Sequence, residues 1–595
     1  MGAAVKVRVT PSRTASSGPG VFVFLTIGLS LAWLVAHRIA DPDIWQHLTV
    51  GRTIWDQRAV PATHLWTWPR LGEPEVLPSW LFRALLWPFH ASAGDWGLQA
   101  WRWLMTLGTF GLAALTARRM GARGLVPWLA LVLAALVYRQ RSEVRPETLA
   151  ALLLAAQMFA LERARGGEPR ALIAVPMIAL LWANAHVSFW MGWAVTALHL
   201  GDALLRERRI PVPLTIAFVA SVACSLVNPF GIETLAQPFV YQLTLRNDPL
   251  YRTIAELHPV DWSRNLWNGL PLLVAGWPLL ALIRSRRAGP DRIEWILLVM
   301  FIGLGLTTQR FVGFLAVVAA PYLIRDLSER VAAVRKPPLP AWPRAAVVAL
   351  LTLGMVTGER AHSGVSPGIG IETRYLPVGA LDYMQHAGVR GRGFNEFWQG
   401  GYLLWRFWPE RERLPFMDIH QSGSPGDRAL VARLGRDPLA FHALDREHHF
   451  EWVLTSGVVE LTGGFPDQLD ADSTWRLVFY DDAALLYVRR AGPLAALAER
   501  DGYRWLPGGL AALPAIGARA ALDTLTRHAL RLELERAVST SPAHAGLAHM
   551  KLANLALQDG RTLEALRQLD AALASGVDVP GLRERRARVA ASVVR

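Results

Sequence analysis

The stretch Val21–Leu48 reads VFVFLTIGLSLAWLVAHRIADPDIWQHL, an apolar run followed closely by two carboxylates and a histidine. About 20 apolar residues cross a bilayer, so Val21–Ala36 is predicted to be a first membrane span. Three basic residues precede it: Lys6, Arg8 and Arg13. Because basic residues mark the cytoplasmic side, Asp41 is predicted to lie outside the cytoplasm. The absence of a small-x-small cleavage site before Asp41 favours an uncleaved span over a signal peptide.

Ten further apolar segments follow: Gly97–Thr116, Leu125–Tyr138, Glu147–Leu161, Ala171–Ala183, Ser188–Leu205, Pro213–Leu226, Leu270–Ile283, Glu294–Leu306, Phe311–Ile324 and Ala345–Val356. Every second gap carries a basic cluster: Arg118, Arg119 and Arg123; Arg163, Arg165 and Arg170; Arg206, Arg208 and Arg209; Arg284, Arg286 and Arg287; Arg325, Arg330, Arg335 and Lys336. This alternation predicts a polytopic α-helical protein of about 11 spans in the bacterial inner membrane, with a cytoplasmic N-terminus. The odd number of spans places the C-terminal third outside the cytoplasm.

The composition agrees with this topology. The chain is 52% hydrophobic and 18% charged, with a mean hydropathy of +0.24. Its net charge of +14 does not predict a nucleic-acid partner, because much of the arginine excess lies in short connectors that topology already explains. The single Cys224 excludes an intrachain disulfide and a cysteine-rich zinc site.

Three domains are predicted: a transmembrane domain over residues 1–357 with a first outer loop at 41–95, a small extracytoplasmic α/β domain over 358–490, and a helical tail over 491–595. In the second domain, helices are predicted at Val378–His386 and Gly401–Phe407. Short strands are predicted at Gly393–Glu396, Leu414–Ile419 and Trp452–Leu454, with a hairpin at Trp475–Val488 that turns through Asp481-Asp482.

The helical tail matches one tetratricopeptide repeat over His549–Ser575. Five residues take the helix-packing positions of that repeat: Leu552, Ala553, Ala565, Leu569 and Ala572. Just before it, Ala537 and Pro542 match the end of a preceding repeat. One and a half repeats are too few for a free-standing solenoid. We therefore interpret the tail as a cap or a docking element for a protein partner.

The first outer loop begins with Asp41-Pro42-Asp43, which is typical of a helix start. A helix through Trp55 would align three residues in one apolar stripe: Ile44, Leu48 and Trp55. Asp43 and His47 would then lie one turn apart on a polar edge. We expect this helix to lie along the membrane surface with that edge toward a cavity. Alternatively, Asp41 and Asp43 only cap the helix.

The other predicted outer turns carry further polar residues: Arg141, Glu143, Arg145, Glu147, Asn184, His186, Asn228 and Arg310. Ionisable residues near a bilayer are costly, so a functional role is the default hypothesis. Arginine suits phosphate because its guanidinium donates two hydrogen bonds at once. Structural alternatives exist: Asn228 as a helix stop, His186 as a bond to a helix end, and arginine–glutamate pairing at a surface.

These residues resemble the membrane glycosyltransferases of the GT-C fold, such as protein mannosyltransferases, aminoarabinose transferases and oligosaccharyltransferases. The chain also resembles a group of bacterial polytopic proteins through shared motifs: Asp43-Ile44-Trp45-Gln46-His47-Leu48, Arg145-Pro146-Glu147, Trp182-Ala183-Asn184-Ala185-His186, Asn228-Pro229-Phe230-Gly231, Gly400-Gly401-Tyr402-Leu403-Leu404-Trp405 and Phe416-Met417-Asp418. The resemblance covers roughly residues 20–425. Many GT-C enzymes have two adjacent acidic residues, whereas a proline separates them here.

The resemblance implies transfer of a sugar from a polyprenyl-phosphate donor at the outer leaflet. It implies Asp43 as the general base and Asp41 as a helix cap or metal contact. The implied substrate-binding residues are His47, Arg141, Glu143, Arg145, Asn184, His186 and Arg310. A divalent cation, Mg²⁺ or Mn²⁺, at Asp41 or Asp43 is compatible with it, although no ligand cluster requires one.

Two other function classes remain open. The first is a non-catalytic scaffold for envelope assembly that binds partners through the outer domain and the tail. The second is a transporter, which the gathering of charges at span ends disfavours. The sequence has no Walker motif and no Gly-x-Ser-x-Gly elbow. Asp418 is either part of a site or a strand-end turn, and we favour the turn.

Overall fold

A computed structural model describes residues 18–333, 339–419, 423–458, 463–577 and 579–594. The basic residues Lys6, Arg8, Arg13, Arg335 and Lys336 lie outside them. The chain forms two compact units. The helical unit comprises residues 18–38, 95–228 and 256–369, and the mixed unit comprises residues 39–94, 229–255 and 370–594.

The helices are, in chain order, α1 (Gly18–Leu34), α2 (Asp43–Gln57), α3 (Trp80–Arg119), α4 (Leu129–Tyr138), α5 (Pro146–Arg165), α6 (Ala174–Ala185), α7 (Trp190–Glu207), α8 (Val212–Ser225), α9 (Ile232–Leu243), α10 (Trp262–Asn265), α11 (Leu270–Ala288), α12 (Arg292–Thr307), α13 (Val312–Ala332), α14 (Ala341–His362), α15 (Val378–His386), α16 (Phe397–Phe407), α17 (Pro425–Val431), α18 (Pro438–His448), α19 (Phe465–Ala471), α20 (Ala495–Asp501), α21 (Leu513–Leu522), α22 (Thr524–Thr540), α23 (Gly546–Gln558), α24 (Thr562–Ala574) and α25 (Leu582–Val594). Helix α3 is broken at Gly94, whose φ of 54° lies in the left-handed region that favours glycine.

Each predicted membrane segment falls on a helix in the structure. Among the described residues, two stretches, Gln309–Ala332 and Ala341–His362, are long and apolar enough to cross a bilayer by length and composition. Shorter apolar helices include Gly18–Leu34, Pro169–Ala185 and Val212–Ser225. The helical character of the segments is therefore confirmed, and the number of membrane crossings stays a prediction.

The mixed unit contains a four-stranded sheet. Its strands are β1 (Gly393–Asn395), β2 (Trp452–Ser456), β3 (Trp475–Tyr480) and β4 (Ala484–Arg489), in the order β1-β2-β4-β3. Strands β1 and β2 are parallel, and the other two pairs are antiparallel. The predicted hairpin through Asp481-Asp482 and the helix Val378–His386 are confirmed. Helices α17, α18 and α19 were not predicted.

The predicted strand Leu414–Ile419 is wrong, because the structure has no strand there. The Asn395 side chain bonds the backbone groups that a neighbouring strand would otherwise pair. The Asn395 amide accepts the backbone N–H of Phe416 at 2.7 Å and donates to the carbonyl of Met417 at 2.8 Å. The segment is buried, bends at Phe416 and Met417, and does not join the sheet, since an amide side chain satisfies these backbone groups.

The predicted apolar stripe of α2 is correct in part. Ile44 and Leu48 are buried, but Trp55 is 55% exposed, so its inclusion in the stripe is wrong. Its indole N–H donates to the carbonyl of Ala84 at 2.7 Å, which leaves the ring at the surface. The polar edge is also more enclosed than expected, because His47 is buried as well.

The tail is helical, and all five predicted packing positions are buried: Leu552, Ala553, Ala565, Leu569 and Ala572. The β3–β4 turn contacts the tail directly. Asp482 caps α23 by accepting the backbone N–H groups of Gly546 at 2.6 Å and Leu547 at 2.7 Å. Asp481 accepts the hydroxyl of Ser541 at 2.8 Å. The assignment to the tetratricopeptide family stays a prediction.

Candidate functional site

Three predicted outer-turn arginines of the helical unit meet two carboxylates, and we call this set the arginine–glutamate network (Arg141, Arg145, Glu147, Glu256 and Arg310). Three of its members lie in short 3₁₀ turns. Arg141 lies in the turn Arg139–Arg141 after α4, Glu256 in the turn Ala255–Leu257, and Arg310 in the turn Gln309–Phe311 before α13. Arg141 donates to Glu147, and to Glu256 at 2.9 Å. Arg145 donates to Glu256 at 2.6 Å, and Arg310 donates to Glu147 at 2.6 Å.

The network carries three positive and two negative charges. Burial lowers the pKa of Arg141, but Glu147 and Glu256 overcome that effect and raise it. Burial raises the pKa of Glu256, but Arg145, Arg310 and Arg141 overcome that effect and lower it. Both groups are therefore charged at neutral pH, and one guanidinium charge remains in excess. The adjoining cavity is about 10 Å³, room for one water molecule at most.

His186 lies close enough to the network for Arg310 and Glu147 to affect its titration. Burial, followed by Arg310, lowers its pKa to about 4. Its Nδ1 accepts the backbone N–H of Ser188 at 3.1 Å, so the proton of the neutral ring lies on Nε2. At neutral pH His186 can therefore donate one hydrogen bond from Nε2, but it brings no positive charge.

The other outer-turn residues of the helical unit have contacts beyond this network as well. Glu143 accepts from the buried Arg102 at 2.8 Å. The Asn184 amide donates to the carbonyls of Leu180 and Val227, and the Asn228 amide donates to the carbonyl of Ser225, where α8 ends. The helix-stop interpretation of Asn228 is consistent with this bond. Arg141 and Glu147 form one of the arginine–glutamate pairs that the sequence offered as a structural alternative.

The first outer loop of the mixed unit positions the predicted base. The backbone N–H of Asp43 donates to Asp41 Oδ1 at 3.1 Å, so Asp41 contacts the start of α2 as a cap does. Asp41 is buried and Asp43 is half-buried. His47 packs edge-on against Phe82, with ring centroids 5.3 Å apart.

Buried polar side chains that were not predicted as a cluster lie at this helix. Gln46 Nε2 donates to Asp418 Oδ2 at 2.6 Å, and both side chains are fully buried. Burial lowers the pKa of Arg83, and the carboxylates of Glu75, Asp418 and Asp43 oppose that shift. Asp418 is therefore more than a turn residue, because it anchors the helix that carries Asp43.

The Gly400-Gly401 pair explains how α2 and the 417–418 segment reach α16. A Cβ on Gly400 would lie 2.2 Å from the carbonyl oxygen of Met417, and one on Gly401 would lie 3.2 Å from that of Pro42. Only glycine permits the closer approach. The two glycines of the Gly400-Gly401-Tyr402-Leu403-Leu404-Trp405 motif therefore have a packing role.

Arg83 and Glu256 were missed by the sequence reasoning. Glu256 lies in a polar stretch between two predicted spans, in a gap without a basic cluster. That gap is predicted to lie on the outer side, so Glu256 could have been grouped with the other outer candidates from the sequence. Arg83 lies in the first outer loop, which also holds Arg52, Arg58 and Arg70, so no signal in the sequence singles it out.

Within the described part of the chain, one group of three residues could hold a metal ion: Asp427, Glu447 and His448. Their potential ligand atoms lie within 4.8 Å of one another, and His448 Nε2 is 2.7 Å from Asp427 Oδ1. The group lies in α17 and α18 of the mixed unit and was not predicted. It is apart in sequence from Asp41 and Asp43, for which a metal was considered.

Neither a protein-family model nor a curated protein sequence matches the chain. Solved structures do. The fold is similar to that of the archaeal oligosaccharyltransferase AglB from Archaeoglobus fulgidus in complex with an inhibitory peptide and a dolichol-phosphate, at 13% identity over 77% of this chain and 73% of that chain, with a TM-score of 0.54. A complex of the A. fulgidus oligosaccharyltransferase with Zn and sulfate matches at 13% identity over 78% and 73%, with a TM-score of 0.50.

ArnT from Cupriavidus metallidurans bound to undecaprenyl phosphate also matches, at 15% identity over 81% of this chain and 99% of that chain, with a TM-score of 0.45. Of these three structures, the two of the oligosaccharyltransferase have TM-scores of 0.50 or more. The chain has the fold of the GT-C membrane glycosyltransferases.

Proposed function

We propose that this protein is a membrane glycosyltransferase that moves a sugar from a polyprenyl-phosphate donor to an acceptor on the outer face of the bacterial inner membrane. The observation that carries the proposal is the arginine–glutamate network, in a chain whose fold matches an oligosaccharyltransferase in complex with a dolichol-phosphate. Three guanidinium groups held together by two carboxylates suit a lipid-linked phosphate.

In the proposed reaction, an acceptor hydroxyl attacks the anomeric carbon of the donor sugar. The new bond joins the acceptor oxygen to that carbon, and the bond from the carbon to the phosphate oxygen breaks. Asp43 accepts the hydroxyl proton, and polyprenyl phosphate leaves with the bonding electron pair. General-base assistance of this kind is worth about 10²–10⁴-fold in rate.

The leaving phosphate gains negative charge in the transition state, where preorganised donors have their largest effect. Arg141, Arg145 and Arg310 supply that charge stabilisation in the proposal. His186 supplies a neutral hydrogen bond from Nε2. Because the cavity beside the network is only about 10 Å³, phosphate binding requires the carboxylate of Glu147 or Glu256 to give up part of its pairing.

The remaining predicted residues have narrower proposed roles. Asp41 holds the start of α2, and His47, Glu143 and Asn184 stay candidates for substrate binding. The half-buried carboxylate of Asp43 has the hard oxygen ligands that Mg²⁺ and Mn²⁺ prefer, so a divalent cation there would supply charge to the donor phosphate.

The test compares two asparagine variants on the same helix. Asp43→Asn removes the proposed base, whereas Asp56→Asn changes an exposed carboxylate on α2 and serves as the matched control. The purified proteins are assayed for transfer from a set of polyprenyl-phosphate sugars. We expect Asp43→Asn to lower kcat by about 10²–10⁴-fold and Asp56→Asn to retain wild-type turnover.

Wild-type turnover by folded Asp43→Asn protein would remove Asp43 from the base role. An equal loss in both variants would indicate damage to α2 instead of loss of the base. No transfer by the wild-type protein with any donor would favour the scaffold function.

A further inference from the structure

The mixed unit contains a cavity of about 160 Å³ that the transfer reaction does not use. Strand β3 lines one side with Trp475 and Arg476, and a segment from Tyr503 to Ile516 lines another. A cavity of about 150 Å³ holds a benzene-sized ring. The space therefore accommodates one six-membered ring.

The wall of this cavity is held rigidly by two carboxylates. Glu533 accepts three backbone N–H groups at 2.8–2.9 Å: those of Arg504, Trp505 and Leu506. Asp470 accepts those of Gly508 at 3.3 Å and Gly509 at 2.8 Å. A loop fixed by five such bonds loses little conformational entropy when it binds a ligand.

The charged side chains lining the cavity are two arginines, Arg476 and Arg504, and one carboxylate, Asp470, so the net charge of the lining is positive. Within the described residues, neither Arg476 nor Arg504 forms an ion pair with a carboxylate, and the nearby Glu533 already accepts backbone donors. Burial lowers the pKa of Arg476, and Arg490 and Arg504 lower it further, because like charges lie close together. Arg504 is exposed and can reach a ligand from the cavity mouth. A negatively charged group would relieve this repulsion.

The apolar part of the lining is aromatic and can pack against the C–H groups of a sugar ring. Trp475, Tyr503 and Trp505 contribute aromatic surface.

We propose that this cavity binds a six-membered sugar ring that carries one acidic group, either a carboxylate or a phosphate. The aromatic residues contact the ring, and the two arginines contact the acid. The proposal does not depend on the transfer reaction.

The test is isothermal titration calorimetry on the full chain in detergent, with glucuronate, glucose 6-phosphate, glucose and inorganic phosphate as probes. We expect saturable binding of glucuronate or glucose 6-phosphate, with glucose at least tenfold weaker and inorganic phosphate weaker still. The tighter of the two acids identifies the acidic group. Arg504→Gln should weaken binding of that acid about tenfold, whereas Arg436→Gln, an exposed arginine of the same unit, should leave it unchanged.

Four results would overturn the proposal. They are equal binding of glucose and the acids, inorganic phosphate binding as tightly as the acids, no saturable binding of any probe, and an unchanged affinity in Arg504→Gln. Because Arg504 is exposed, that variant is expected to fold, and loss of binding in it is attributable to the lost charge.

Discussion

Asp481, in the turn between β3 and β4, should make the docking of the tail dependent on pH. Its side chain is 1% exposed, and burial raises its pKa from 3.8 to about 7. A carboxyl whose folded pKa is raised stabilises the folded state below pH 3.8, and that stability is lost as the pH rises through 7. Between pH 5 and pH 8 this amounts to about 2–3 kcal/mol, at 1.36 kcal/mol for each unit of pKa.

Asp481→Asn should remove this dependence while keeping the hydrogen bonds. The amide oxygen can still accept the backbone N–H groups of Ala483 and Ala484, now at 2.9 and 2.7 Å, and the amide nitrogen can donate to the hydroxyl of Ser541. We therefore expect the variant to be similar to wild type at pH 4 and more stable than it at pH 8, by up to about 4 kcal/mol, which is the full shift of about three pKa units at 1.36 kcal/mol each.

The adjacent Asp482→Asn is the matched control with the opposite expected sign. Asp482 accepts Gly546 and Leu547 through different oxygens, so an amide can keep only one of these bonds. Losing part of a helix cap should cost about 1 kcal/mol. Opening free energies from hydrogen exchange over residues 540–558, at pH 5 and pH 8, measure both effects. The same pH dependence in wild type and Asp481→Asn would refute the reasoning.

Two further predictions concern the glycine pair and the buried carboxylate of the mixed unit. Gly400→Ala should destabilise this unit strongly, because the new Cβ would lie 2.2 Å from the Met417 carbonyl oxygen. Gly517→Ala, with open space around the new Cβ, should instead stabilise α21 by up to about 1 kcal/mol. Thermal unfolding of the two variants in one detergent checks this, and equal unfolding midpoints would contradict it. Asp418→Asn should weaken the hydrogen bond from Gln46 and lower the stability of the folded state by about 1.5–3 kcal/mol. The loss is measured as faster hydrogen exchange of the α2 amides. Unchanged exchange would count against the anchoring role of Asp418.

The secondary structure of the membrane-like segments could be predicted because long apolar runs determine it locally. The hairpin followed from two β-rich runs around Asp481-Asp482. The error at Leu414–Ile419 has a non-local cause, since the Asn395 side chain satisfies the backbone that a neighbouring strand would have paired. A periodic pattern contains no information about that partner.

The residue types of the candidate site could be predicted from the sequence, but the pairing of its residues could not. Arg141 bonds Glu256 across 115 residues, and Gln46 bonds Asp418 across 372. Sequence spacing relates residues within one helix or turn. It gives no means of choosing among carboxylates brought together by tertiary packing, so Glu256 and the Asp418 anchor emerged only with the structure.

The most direct measurement of the transferase claim is the fate of the lipid carrier. Wild-type protein is incubated with a polyprenyl-phosphate sugar and acceptor extracts, and free polyprenyl phosphate is quantified by mass spectrometry together with the glycosylated product. We predict that both appear in equal amounts and that Asp43→Asn forms neither above background. Donor that remains intact over many protein equivalents, with wild-type and variant protein indistinguishable, would contradict the claim.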